Sequence, residues 1–144
     1  MTSSIIQMPL PCILVIAGSD CSSCAGLQAD LKTISALGGF AVTVPTILTA
    51  QSPTDRSSFA LHIPPASFLR QELEAVFQTY DFKAVKVGAL GSEENVRLVV
   101  EMLRKKHHRH ANVVVDPVME TTAGQRLLNK GRFELEGTWM DNWC

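Results

Sequence analysis

The residues with the most chemistry in this chain stand where short apolar runs end. Gly18-Ser19-Asp20, Thr49-Ala50-Gln51, Gly88-Ala89-Leu90 and Asp116-Pro117-Val118-Met119 each follow a stretch of Ile, Leu, Val or Ala. Each offers a small residue, an amide or a carboxylate. Small residues leave room for a ligand, an amide both donates and accepts, and a carboxylate accepts hydrogen bonds or holds a cation. Cys21-x-x-Cys24 has the spacing of zinc ligands or of a dithiol, but it has no second pair, so no metal site is expected. His107-His108-x-His110 beside Lys105, Lys106 and Arg109 could hold metal or phosphate, although such runs more often form a solvated helix end. Taken singly, each segment also reads as turn chemistry, with Gly for an unusual backbone angle and Asp or Ser for a cap. Their shared position is the stronger signal.

That position follows from the elements. Cys12 to Ala17 is a continuous apolar run ended by Gly18, as in a strand buried on both faces. From Ala25 to Leu37 the period changes, and Leu27, Leu31, Ile34 and Leu37 mark one helix face, closed by Gly38-Gly39. Val42 to Ala50 reads as a strand in which Pro45 requires a bulge, an edge position or a late start. Gln51 to Ile63 reads as a loop. Pro64-Pro65 opens a helix with its stripe on Leu69, Leu73, Val76, Phe77 and Tyr80. Ala84 to Val87 is a strand ended by Gly88. Ser92 caps a helix with Glu93 and Glu94 in its first turn and Val96, Val99, Val100 and Leu103 on its buried face. Val113 to Val115 is a fourth strand, stopped by Asp116-Pro117. Alternating strands and helices predict an α/β fold with a parallel sheet of about four strands and crossover helices. In such sheets ligands bind beyond the carboxyl ends of the strands, where the four polar segments lie.

Composition limits the alternatives. The 144 residues suit one domain, and 46% hydrophobic against 19% charged residues supports a packed core. Thirteen Lys and Arg against fourteen Asp and Glu leave a formal charge of -1, so neither nucleic acid nor an anionic membrane is an expected partner. No apolar run is long enough to span a bilayer, and the first residues lack a signal-peptide pattern. A cytoplasmic chain with cysteines as thiols is expected.

The segment from Ala17 to Thr33, with Gly18-Ser19-Asp20, Ala25-Gly26 and Gln28-Ala29-Asp30-Leu31-Lys32, resembles the substrate-binding signature of the hydroxymethylpyrimidine/phosphomethylpyrimidine kinases. The resemblance continues through Leu48-Thr49-Ala50-Gln51, Val85-Lys86-Val87-Gly88, Asp116-Pro117-Val118-Met119 and Gly124-Gln125-Arg126-Leu127-Leu128. It implies a ribokinase-like three-layer fold and ATP-dependent phosphorylation, with Mg²⁺, of an aminopyrimidine alcohol in thiamine biosynthesis. A pyridoxal-type kinase of the same fold is the alternative enzyme, and a non-catalytic substrate-binding half-domain is the alternative of another kind.

The resemblance also implies roles. Gly18 would bring backbone to the ring and Ala25 would leave space beside it. Asp30 would receive the hydroxymethyl group, and Gln51 would read the aminopyrimidine edge. Ala89 and Val118 would line the walls, and Asp116 would stand near phosphate and Mg²⁺. Read without the family, Asp30 complements a helix dipole, Gln51 is a loop amide and Asp116 caps a turn. Ser23-Cys24 replaces a glycine pair of the family, which would strain the loop if those positions take positive φ. Glu120-Thr121-Thr122 stands where the family carries a Lys followed by Ser-Gly. Family members are nearly twice as long and often homodimeric. Their second half supplies the nucleotide pocket and catalytic base, so no catalytic residue is expected in this chain. Residues 1–128 are expected to form the first part of the kinase domain, and 129–144 a divergent tail of out-of-frame character containing Trp139 and Trp143. With the later strands missing, the innermost remaining edge is expected to lie unpaired and the Leu69, Leu73, Val76 and Phe77 face to lose some of its partners.

Overall fold

The structure, a computed structural model, describes residues 6, 8–52, 54–55, 58–105, 111–121 and 124–127. The chain runs β1 (Cys12–Asp20), α1 (Gly26–Ala36), β2 (Phe40–Gln51), β3 (Phe59–His62), α2 (Ala66–Thr79), β4 (Ala84–Val87), α3 (Glu93–Leu103) and β5 (Asn112–Val115). One five-stranded sheet has the order β3-β2-β1-β4-β5. β1, β2, β4 and β5 are parallel neighbours, while β3 lies antiparallel on the edge beside β2. The parallel strands and the crossover helices stand as expected. The strand count is five rather than about four, because part of the expected Gln51–Ile63 loop is β3. Its four residues, Phe-Ala-Leu-His, are too short to show a period, and Pro64 follows closely.

Alternation along β1 sends its side chains to two cores. Leu14 and Ile16 join Val42, Val44, Val85 and Val87 beneath α2 and α3. Val15 and Ala17 face α1 through Leu27 and Ile34. The result is three layers, helix, sheet and helix pair. Arg70 on α2 grips Glu101 on α3 in a two-pronged ion pair at 3.1 and 2.8 Å, which holds the Glu101 carboxyl down to about 2.

Of the bulge, edge position or late start that Pro45 allowed, the structure has the bulge. The register pairs Ala17 with Pro45 and then Gly18 with Ile47, so Thr46 is the extra residue. Thr46 is buried, and its hydroxyl donates to the Ala89 carbonyl at 2.6 Å. The Ser92 cap also forms, with the Asn95 amide donating to the Ser92 hydroxyl at 3.2 Å.

Two expectations about apolar faces are corrected. Leu69, Leu73 and Phe77 are buried rather than short of partners, because α2 packs on β2 and α3. The α1 stripe is only half used: Leu27 is buried and Ile34 partly so, but Leu31 is exposed, and Leu37 is the C-cap residue and 83% exposed. β5 ends the sheet, with Val113 and Val114 exposed. Lys106 to His110 and the 129–144 tail lie outside the described residues.

Leu73 has no exposed surface, whereas Leu37 is largely exposed. Leu73→Ala is therefore expected to cost about 2–5 kcal/mol in urea unfolding, and Leu37→Ala less than about 0.5 kcal/mol. Equal costs would contradict the packing described.

Candidate active site

The strand order reverses between β1 and β4: from β1 the chain steps outward to β2 and β3, then returns to the other side. A crevice opens there beyond the carboxyl ends of the strands. It holds a cavity of about 580 Å³. Every residue named from the family signature, Gly18, Ala25, Asp30, Gln51, Ala89, Asp116 and Val118, lines it.

The loop from β1 to α1 is built around Asp20, which is 4% exposed. Its carboxylate accepts from Gln51 Nε2 at 2.6 Å, from the Ser22 amide at 2.9 Å and hydroxyl at 2.8 Å, and from the amides of Cys24 and Ala25 at 3.1 and 2.9 Å. Burial alone would raise its pKa, but the hydrogen bonds from Gln51, Ser22 and Ala25 outweigh it and hold the carboxyl below its ordinary value. Ala25, the N-cap residue of α1, has no capping side chain of its own, and the Asp20 carboxylate holds its backbone amide instead. An ionised carboxylate only accepts, so Gln51 must turn its nitrogen toward Asp20. One N–H of that amide is thereby used. Its other N–H and its oxygen have donor and acceptor capacity for a ligand.

Backbone shape completes the loop. Gly26 has φ +58°, and a Cβ there would lie 2.2 Å from the Gly18 carbonyl oxygen. Ser23 has φ +60°, the left-handed conformation in which a side chain is strained. The cost expected of the Ser23 substitution is therefore present. At Gly18 a Cβ would meet Ile47 and Ala89 at ordinary contact distance, so its smallness leaves cavity space instead of relieving a clash.

Asp30 does not sit in the first turn of α1, which has no acidic residue. It pairs with Lys86 at 2.8 Å, with both side chains about one quarter exposed. Lys86 was not singled out from the sequence, yet the signal was there: it is a lone charge within the apolar strand Ala-Val-Lys-Val. Val85 and Val87 point into the α2–α3 core, so Lys86 faces the α1 side. Ala89 is buried against Ile47 and Leu127, with Val118, Phe59 and Leu61 packed around them. Asp116 is exposed at the end of β5.

Further lining was missed. The Thr121 amide donates to the Gln125 carbonyl, and Leu127 returns an amide bond to Met119, both at 2.8 Å. This folded-back segment brings Thr121, Gln125 and Leu127 to the cavity. Gly124, with φ +83° and open space around it, was the turn signal.

An open α/β sheet with helices on both faces and a cavity at the reversal of strand order is the architecture of the doubly wound class, in which small ligands bind at that point. A family model described as phosphomethylpyrimidine kinase matches residues 20–138. The chain is 46% identical over 119 residues to a thiamine biosynthesis multifunctional protein of Corynebacterium glutamicum, covering 83% of this chain and 15% of that one. It superimposes on the crystal structure of phosphomethylpyrimidine kinase from Clostridium difficile with a TM-score of 0.72 and 41% identity, covering 82% of this chain and 49% of the other. On Bacillus subtilis pyridoxal kinase, solved as an ADP complex, the TM-score is 0.70 at 31% identity, covering 76% and 40%. The chain belongs to the phosphomethylpyrimidine kinase family, and its fold is ribokinase-like. It spans less than half the length of these relatives. No helix among the described residues is long and apolar enough to cross a membrane.

A carboxyl held below its ordinary value stabilises the fold fully above that value, and the contribution is lost as pH falls through the folded pKa. Asp20→Asn is therefore expected to lower stability at pH 7 by about 1–3 kcal/mol. The gap to wild type should close as pH drops below about 4. Parallel acid-unfolding curves for the two proteins would contradict the role given to Asp20.

Proposed function

We propose that the cavity is the pyrimidine site of a hydroxymethylpyrimidine/phosphomethylpyrimidine kinase, and that residues 1–128 contribute the substrate-binding part of an ATP-dependent phosphotransferase of thiamine biosynthesis. The observation that carries this reading is the convergence of Gly18, Ala25, Asp30, Gln51, Ala89 and Val118 on one cavity. Gln51, its orientation set by Asp20, offers an oxygen to the exocyclic amine and its remaining N–H to a ring nitrogen. Gly18, Ala89 and Val118 supply flat, small walls for the ring. Asp30 accepts from the substrate hydroxyl and, held by Lys86, orients the oxygen that attacks.

Phosphoryl transfer in this family draws on ATP and Mg²⁺, which position and neutralise the transferring group. Asp116 has the hard oxygen donors that suit Mg²⁺ and stands at the cavity edge where the phosphates are expected. Among the described lining residues the cation is Lys86, and it is engaged with Asp30. Charge stabilisation of the phosphoryl group therefore falls to residues other than these, and the catalytic base is assigned to the part of the family domain beyond residue 128. The likeness to pyridoxal kinase supports pyridoxal as the second candidate ligand.

Calorimetry with hydroxymethylpyrimidine is expected to show binding that Gln51→Ala weakens by about 1–3 kcal/mol and Asp30→Asn weakens less. Tighter binding of pyridoxal would favour the second candidate. Equal affinity of wild type and both variants would overturn the assignment. A parallel assay of the 144-residue chain with ATP and Mg²⁺ is expected to give no product above background.

A further inference from the structure

We propose that Cys21 and Cys24 form a dithiol that closes to a disulfide and loosens the rim of the cavity. Both thiols are free and exposed, and Cys24 lines the cavity. Cys21 lies inside, and Cys24 directly after, a tight turn closed by the Ser23 amide on the Asp20 carbonyl at 2.9 Å, in which Ser23 holds φ +60°. Their Cys-x-x-Cys spacing is that of a redox dithiol, and closure draws the two Cα atoms to roughly 4.4–6.8 Å.

Cys21 also braces the site. Its Sγ donates to the Gln51 carbonyl and accepts from the Gln51 amide, both at 3.4 Å. That pair ties the loop to the end of β2, from which the Gln51 side chain reaches Asp20. Cys24 Sγ donates to the Ser22 carbonyl at 3.6 Å. A disulfide sulfur carries no hydrogen, so closure removes both donated bonds and draws Cys21 away from Gln51.

The oxidant is a small-molecule disulfide of the oxidised-glutathione class. The Cys24 thiolate attacks one of its sulfurs, and the displaced thiolate takes up a proton. The Cys21 thiolate then attacks the Cys24 sulfur of the mixed disulfide and displaces the second thiolate, which is protonated in turn. Two protein thiols are oxidised, and one small disulfide is reduced to two thiols.

The effect on affinity rests on the pyrimidine reading above, whereas the disulfide itself does not. The whole chain is treated with oxidised glutathione and then with reductant. Peptide mapping is expected to find a Cys21–Cys24 disulfide while buried Cys12 stays reduced. Hydroxymethylpyrimidine affinity should fall about tenfold, as for loss of one hydrogen bond, and recover on reduction. The double variant Cys21→Ser, Cys24→Ser should show no oxidant response, whatever its own affinity. If the reduced chain binds no pyrimidine, the substrate reading fails alone, and amide exchange at Gln51 decides the matter. Faster exchange on oxidation supports the proposal. A pair that stays reduced, or a disulfide that leaves both affinity and Gln51 exchange unchanged, overturns it.

Discussion

One buried carboxylate, Asp20, organises the site. It lies where β1 ends, so its place is set by the central strand of the sheet. Around it the loop must deliver the amides of Ser22, Cys24 and Ala25, and β2 must deliver Gln51. A buried ion with fewer partners would be costly, so the loop has little freedom to relax elsewhere. The start of α1, the strained Ser23 and the direction of the Gln51 amide all follow from satisfying this one group. The close approach of Gly26 to Gly18 completes the same loop.

The two faces of the sheet divide the work. Beneath α2 and α3 the strands bury Leu, Ile and Val in a continuous core, which fixes the relative heights of β1, β2 and β4. On the α1 face the core is small, made of Val15, Ala17 and Leu27, and the ion pair of Asp30 with Lys86 lies on that side. The well-packed face holds the strand ends in register, and the sparsely packed face leaves room for the cavity. The bulge at Thr46 links the two. It lets β2 continue past Pro45 and uses the spare hydroxyl to hold the Ala89 segment at the cavity wall.

Strong periods and runs made most of the fold readable from the residues. Cys12–Ala17, the α2 stripe and the Ser92 cap each carry a dense local signal, and Pro45 marked an irregularity in β2 without fixing its kind. β3 was missed because four residues on an edge, two of them Ala and His, carry almost none. Leu31 and Leu37 show the opposite failure: a helical spacing states which residues share a face, but not whether the sheet below reaches them. At the site, the lining could be named because family signature residues collect at strand ends. The partners could not be. Lys86 meets Asp30 from a strand 56 residues away, and Asp20 meets Gln51 across 31. Such contacts are created by strand order, which no local pattern contains.

As the proposed pyrimidine site, this cavity receives an aminopyrimidine edge-on to Gln51. A crystal structure of the chain with hydroxymethylpyrimidine tests it most directly. The ring is predicted between Gly18, Ala89 and Val118, with its amine on Gln51 Oε1, its hydroxyl on Asp30, and the Gln51–Asp20 bond intact. A pyrimidine bound elsewhere, or one seated only after Gln51 has left Asp20, would contradict it.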